Sequence, residues 1–471
     1  MPRGQRDLHV IGRAGSVLRD HPLCWVIITA DTLRHRATPG MRLAVVLSAA
    51  SLAAASDFVA LVEWARSKCG ATIPSDLQQR TDGARDIMTK APLKASDVVF
   101  TIPDECLLTT AKAIGHPSTF GLFDPQTAQS TEARRTFYEK RDNSVLLPLY
   151  LLHLMDEGDE GFYAPYVRSL PESVDNFPCL WDEDTVSLLP FNTIVDVFTV
   201  CNRIRAFYDD ICAVVPAFGE QHGYADFQRA WLLVNSRDFQ LTINGETHTA
   251  LGPIHDLFNH DAQANVRWNH YQHRGRLAGE VGHMNVSDGK FIEDADFVVP
   301  AGTQLRISYS QHSQSELLLY YGFTLPCGWE TRWRALLPNH TSSSNSNHDS
   351  AAIPMCIDKL KLRTESAAYE LTATRDSPGD AAFLESVSAD LPASRWRAVR
   401  ELVKSAEFPI DVSEAGGLLE AATPGSHEYD ALNVLLGQWS VAQAWISHAT
   451  EMVAREESLP HSEGASSKSE L

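Results

Sequence analysis

Residues 251–323 constrain this chain most, because they hold two short polar boxes whose residue types make little sense as ordinary core or surface. The first reads Gly252-Pro253-Ile254-His255-Asp256-Leu257-Phe258-Asn259-His260. The second opens at Ala301-Gly302-Thr303-Gln304, passes through Leu305, Ile307, Ser308 and Tyr309, and continues as Glu316-Leu317-Leu318-Leu319-Tyr320-Tyr321-Gly322-Phe323. Between them, Asp296-Phe297-Val298-Val299-Pro300 reads as a strand end and a turn, since β-branched and aromatic residues give way to Pro and Gly. A strand, a turn and a second strand therefore deliver Tyr309 beside Asn259 and His260.

Taken together, the boxes resemble the paired signatures of SET-domain methyltransferases, in the subfamily similar to the plant Rubisco large-subunit lysine methyltransferase. There an Asn-His pair precedes an Ile-Ser-Tyr strand and a Glu-Leu-Leu-Leu-x-Tyr-Gly-Phe helix. The resemblance implies an α+β fold: a β-rich SET fold at 56–325, split by a helical insertion at about 104–239, plus an all-helical C-terminal domain at 350–455 that helps hold protein substrates. It implies S-adenosylmethionine as cofactor and a protein lysine side chain as substrate, with a non-histone protein as the target. It places Tyr309 where the methyl passes, and Asn259 and His260 on the cofactor with Asp256 and Arg237 in support. Phe323 and Arg85 belong beside the cofactor, and Tyr321 and Tyr271 wall the lysine channel. Phe239 stands where the histidine-modifying relative has Asn, which favours lysine as the target.

Two departures keep a second reading open, that of a catalytically inactive SET-fold protein serving as a protein-binding scaffold. The Gly-x-Gly loop of the family falls on Ala84 and Asp86 here, although Arg85 and the Thr101-Ile102-Pro103 strand end align well. Glycine permits close backbone approach, whereas Asp brings a carboxylate near the cofactor's own. The segment from Tyr309 to Glu316 is also one residue shorter than in the plant enzyme. A third reading, a metal-dependent hydrolase, starts from the His/Asp-rich run of His255, Asp256, His260, Asp261, His270, His273 and His283, since imidazole and carboxylate ligate metals. The resemblance already accounts for Asp256 and His260, so no metal is expected.

The chemistry such boxes serve is mostly positioning. An amine must approach the methyl in line and uncharged, and a lysine of pKa ~10.4 costs about 4 to 5 kcal/mol to deprotonate at neutral pH unless burial shifts it. Alignment and electrostatics supply the rest.

With 471 residues there is room for two or three domains. Lys and Arg total 40 against 60 for Asp and Glu, a net charge of -20, so the overall field repels a phosphate backbone and nucleic acid is not an expected partner. The eight cysteines show no C-x-x-C spacing and read as buried thiols. Residues 1–55 form a leader of unclear period. Within it, Met41-Arg42, an apolar run and small residues to Ala55 have the layout of a secretory signal peptide, with an ordinary Ala-rich helix as the alternative. The apolar run is too short to span a bilayer. The sequons Asn285-Val286-Ser287 and Asn339-His340-Thr341 are compatible with the secretory reading. Residence is thus cytoplasmic or, if the Met41 signal operates, in the secretory pathway or a plastid.

Further expectations are a helix at 57–70 capped by Ser56 or Asp57, a strand through Val98, Val99, Phe100 and Ile102, and a last insertion helix at 231–239. The aromatics Phe162, Tyr163, Tyr166 and Trp181 read as core. A polar linker at 341–349 precedes helices at 396–404 and 431–453, the latter carrying Leu432, Leu435, Leu436, Trp439, Ala442, Trp445, Ile446, Ala449 and Val453 on one face. The Ser-rich end at 456–471 has the composition of a disordered tail.

Overall fold

Alanine favours helix more than any other residue, and the Ala-rich run ahead of Asp57 joins the amphipathic segment behind it in one helix, α1 (Ala49–Lys68). Ser56 and Asp57 are therefore interior to α1 rather than caps, while Leu61, Trp64 and Ala65 are buried as expected. The computed structural model describes residues 49–80, 85–140, 143–261, 264–284, 291–292, 295–310, 312–325, 332–336, 368–372, 397, 400, 404 and 408–458. The apolar run of the signal-like segment up to residue 48, Ala84, both sequons, the linker at 341–349 and most of 396–404 lie outside these residues.

Short strands come next: β1 (Leu77–Gln79), β2 (Ile87–Thr89), β3 (Leu93–Lys94), β4 (Val98–Pro103) and β5 (Leu108–Thr109). A helical block then runs from α2 (Thr110–Ile114) through α3 (Pro125–Ala128), α4 (Glu132–Lys140), α5 (Leu146–Asp156), α6 (Ala164–Ser169), α7 (Glu183–Val186), α8 (Phe191–Val214) and α9 (Pro216–Gln221) to α10 (Tyr224–Asn235). Leucines fill α5 all round, and the helix is buried accordingly. Tyr163, Tyr166 and Trp181 are core residues, but Phe162 is 51% exposed, its ring edging against Trp64 and Tyr163. Helix α10 stops at Asn235 rather than Phe239, because Phe239 opens the next strand.

Strands resume as β6 (Phe239–Ile243) and β7 (Glu246–Leu251), joined by Asn244 and Gly245 at φ 53 and 87. Asn-Gly is the pair that a two-residue hairpin with two positive φ angles selects. They are followed by β8 (Asn259–His260), β9 (Val266–Tyr271), β10 (Arg276–Val281), β11 (His283–Met284), β12 (Phe291–Ile292), β13 (Val298–Val299), β14 (Arg306–Ile307) and then α11 (Gln314–Tyr321). Strand β10 lies between β4 and β9, β7 lies between β5 and β6, and β14 runs parallel to β8. In β10 the Phe100 ring crosses directly over Gly279, where any Cβ would collide with it. Helices and small sheets together make the fold α+β.

Downstream, β15 (Arg332–Leu336) pairs with β16 (Ala368–Thr372), so the region expected to be all helical carries a strand. The helices α12 (Val412–Ala421) and α13 (His427–Ser458) follow. On α13, Leu432, Leu435, Leu436, Ala442, Ala449 and Val453 are buried on the expected face. Polar residues tie the helix down as well: Gln438 donates to Thr193 Oγ1 at 2.9 Å, Thr324 donates to Asp430 at 2.5 Å, and His427 stacks on Trp181. Among the described residues, no helix is long and apolar enough to cross a membrane.

Four cysteines are paired rather than free, contrary to expectation. Cys69 bonds Cys106 and Cys179 bonds Cys201, with Cα separations of 5.7 and 5.5 Å. The partners are 37 and 22 residues apart, so spacing alone gave no hint of them. Non-reducing peptide mapping is expected to recover both crosslinked pairs from protein made in an oxidising compartment, with Cys212 left alkylatable. Free thiols at all four positions would instead point to a reducing one.

Candidate active site

Three chain segments converge on one cavity of about 180 Å³, room for a side chain rather than a single water. Where α10 ends, Ser236, Arg237, Asp238 and Phe239 turn into β6 and form one side. A single 3₁₀ turn, His255–Leu257, supplies His255 and Asp256. Ile254 just before it holds φ 77, a left-handed conformation that a β-branched residue adopts only where its surroundings dictate it. The third segment follows β14, whose Ile307 sits opposite His260 in the parallel ladder, so that Tyr309 two residues on reaches the first box.

The junction is tight. Tyr309 donates its backbone N–H to His260 Nδ1 at 3.0 Å and its hydroxyl hydrogen to the Phe258 carbonyl at 2.9 Å. Two aromatic walls bound the cavity. One is Tyr309 and Tyr321, with ring centroids 5.0 Å apart, backed by His260 at 5.2 Å from Tyr309. The other is Phe239 and Trp268 at 5.3 Å, with His255 within 4.5 Å of Phe239 and 5.1 Å of Trp268.

Of the expected site residues, Arg237, Phe239, Asp256, Tyr309 and Tyr321 line the cavity. His260 and Phe323 stand behind that wall, 6.4 Å apart. Arg85 is packed into a buried charge cluster: its Nη2 donates to Ser169 O, Tyr166 donates to Asp256 Oδ2 at 2.8 Å, and Arg237 donates to the Asp256 carbonyl at 3.1 Å. Tyr271 is not among the cavity residues. It lies three positions beyond Trp268 on β9, hence on the opposite face, and donates to Glu280 at 2.9 Å. Asn259 is turned elsewhere too. Its amide donates to Asp86 Oδ1 at 2.7 Å, and the other Asp86 oxygen is 2.7 Å from Arg80.

Burial sets the charges. It pulls His260 down to about 4 and His255 to about 3, so both imidazoles are neutral at physiological pH. Arg85 falls to about 10, first through burial and then through Arg237. The Asp256 carboxyl is raised because burial outweighs the attraction of Arg237. Tyr309 is pushed well above the usual phenol range by burial, and Tyr321 up to about 12 by burial and then Asp238. Asp238 itself stands at the rim, reached by water yet hemmed in by protein that lifts its carboxyl to about 7. Solvent access there screens its charge. Among the described residues, four buried atoms around the site have no partner: Arg237 Nε, Asp256 Oδ1 and both nitrogens of His255.

Trp268 escaped the sequence reading, and Asp238 was given no role in it. Trp268 enters only through the register of β9, where it pairs with Gly279. Asp238 lies between Arg237 and Phe239, which the sequence did single out. The His/Asp-rich run is spread over separate surroundings: His270 pairs with Asp104 at 2.9 Å, far in kind from the aromatic niche of His255. Among the described residues no group of three such side chains is placed to hold a metal.

No protein-family model matches the chain. It is 22% identical over 260 residues to Protein SET DOMAIN GROUP 40 of Arabidopsis thaliana, covering 52% of this chain and 50% of that protein. It is 23% identical over 256 residues to SET domain-containing protein 4 of Artemia parthenogenetica, covering 52% and 56%. The chain thus spans about half the length of the curated relatives it matches. Among solved structures, Rubisco LSMT bound to AdoMet superposes with a TM-score of 0.58 at 15% identity, covering 86% of this chain and 93% of that one. The SET domain of LSMT bound to lysine and AdoHcy gives 0.57 at 15%, covering 87% and 97%. The chain has the SET fold, and in that fold and its two boxes it resembles the Rubisco LSMT-type methyltransferases.

Proposed function

We propose that this protein is an S-adenosylmethionine-dependent protein-lysine N-methyltransferase acting on a non-histone protein. In this reading the helical block between β5 and β6 is an insertion splitting the SET fold, and the segment carrying α12 and α13 helps hold the substrate. The observation that carries it is the junction of β14 with β8, which holds the Tyr309 hydroxyl at an aromatic cavity through a backbone bond to a neutral His260.

In this reading Arg85, Arg237, Asp256, Asn259, His260 and Phe323 hold the cofactor, the Asn259 amide first releasing Asp86. The unpartnered Arg237 Nε and Asp256 Oδ1 fit a polar ligand, since buried polar atoms normally find partners. When bound, the cofactor supplies a methyl group on a sulfonium. The chain's own part is to align and desolvate. Tyr309 and Tyr321 confine the amine, and withdrawal from water favours loss of its proton against the pull of Asp238 and Asp256 in the same cavity. Because the Tyr309 hydrogen is engaged by Phe258 O, its oxygen presents lone pairs to developing positive charge.

One observation favours the scaffold alternative. Asp86 already occupies the Asn259 amide with a carboxylate, which repels a ligand carboxylate in the same place. Calorimetry with S-adenosylmethionine separates the readings: binding supports the methyltransferase, and none at millimolar cofactor supports the scaffold. Asp86→Asn, which keeps the shape and removes the charge, is expected to tighten binding about tenfold, the Arg80 ion pair offsetting part of the repulsion.

A further inference from the structure

His255 is a buried polar residue that the proposed reaction leaves unused. The residue is 4% exposed and lines the cavity, and among the described residues neither Nδ1 nor Nε2 has a hydrogen-bond partner. An imidazole always presents at least one N–H, and in its neutral form one lone pair as well. Leaving both unmet in a buried place is costly, so a fold keeps such a residue where something other than protein satisfies it. Packing holds the ring in place: it lies against Phe239 and Trp268, and edge-on to Phe100 at 5.8 Å. Gly252 packs closely there, since a Cβ at that position would stand 3.0 Å from the His255 Cβ. A hydrophobic residue would fill this aromatic niche at no polar cost.

We infer that His255 is a substrate-recognition residue, whose free ring nitrogen accepts a hydrogen bond from the N–H of the target amine in the cavity. The inference rests on the proposed lysine methylation and names a determinant within it. Burial keeps the imidazole uncharged, so it offers a lone pair to an ammonium without repelling it. Each methyl added to the amine removes one N–H, and a trimethylated ammonium has none to give. His255 therefore favours unmodified and partly methylated lysine over the trimethylated form.

The test uses the full chain saturated with S-adenosylhomocysteine, labelled with ¹⁵N in its histidine rings, and titrated with free L-lysine and then with trimethyllysine. Binding is followed in parallel by calorimetry. Lysine is expected to move the His255 ring-nitrogen resonance and trimethyllysine to leave it in place, with affinity for lysine about tenfold higher. His255→Phe is expected to bring the two affinities together, and His255→Gln, which retains an acceptor, to restore part of the difference. If lysine binds while the His255 resonances stay fixed, as they would with only a trapped water beside the ring, the recognition role is overturned and the methyltransferase reading stands. If neither amine binds, both fall.

Discussion

Tyr309→Phe is expected to slow methyl transfer about 10²–10³-fold in single turnover while leaving cofactor affinity little changed. The size follows from removing one preorganised dipole from a site that water enters poorly. The selectivity follows from geometry. The bond that locks Tyr309 to the Asn-His box runs from its backbone N–H to His260 Nδ1, and a phenylalanine keeps it. The ring also keeps its place against Tyr321 at 5.0 Å. Only the oxygen is lost, and with it the bond to Phe258 O. A smaller loss is expected for Tyr321→Phe, whose hydroxyl is 3.3 Å from His312 Nε2 at the cavity's edge. Wild-type transfer by the Tyr309→Phe protein would leave this hydroxyl a structural tether and nothing more.

What could be read from the sequence was whatever local chemistry specifies. The β-branched and aromatic run of Val98, Val99, Phe100 and Ile102 announced β4, and the helical face from Leu432 to Val453 announced α13. The Asn259-His260 and Tyr309 boxes were recognisable because their residue types fit neither core nor surface. Long-range pairing was out of reach. Nothing near Asp86 in the chain predicts that Asn259 will donate to it across 173 positions, nor that Cys179 will meet Cys201. Tyr271, put in the lysine channel by resemblance alone, lies on the face of β9 opposite Trp268, because strand faces alternate. The cap expected at Ser56 failed for a different reason: a local signal was overridden by the alanines upstream, which continue the helix through it.

The second large effect concerns stability. Asp256→Ala is expected to cost about 3–5 kcal/mol in chemical denaturation, because it removes a buried carboxylate that faces two guanidinium groups. Arg85 and Arg237 repel each other, and Asp256 is the strongest attraction that opposes this at Arg85. Tyr166, fully buried, also loses its acceptor at 2.8 Å and becomes an unsatisfied hydroxyl. The deletion therefore leaves uncompensated charge as well as a stranded donor, while Asp256→Asn retains the acceptor and is expected to cost less. Arg85→Met tests the electrostatic part. Combined with Asp256→Ala it relieves the repulsion, so the double variant is expected to be more stable than the sum of the two single losses predicts, by about 1–2 kcal/mol. Strict additivity would mean that Arg85 and Asp256 do not sense each other, and the destabilisation would then belong to Tyr166 and packing. The same cluster supplies the unpartnered Arg237 Nε and Asp256 Oδ1 at the cavity, so its stability and the site's readiness for a polar ligand are properties of one set of atoms.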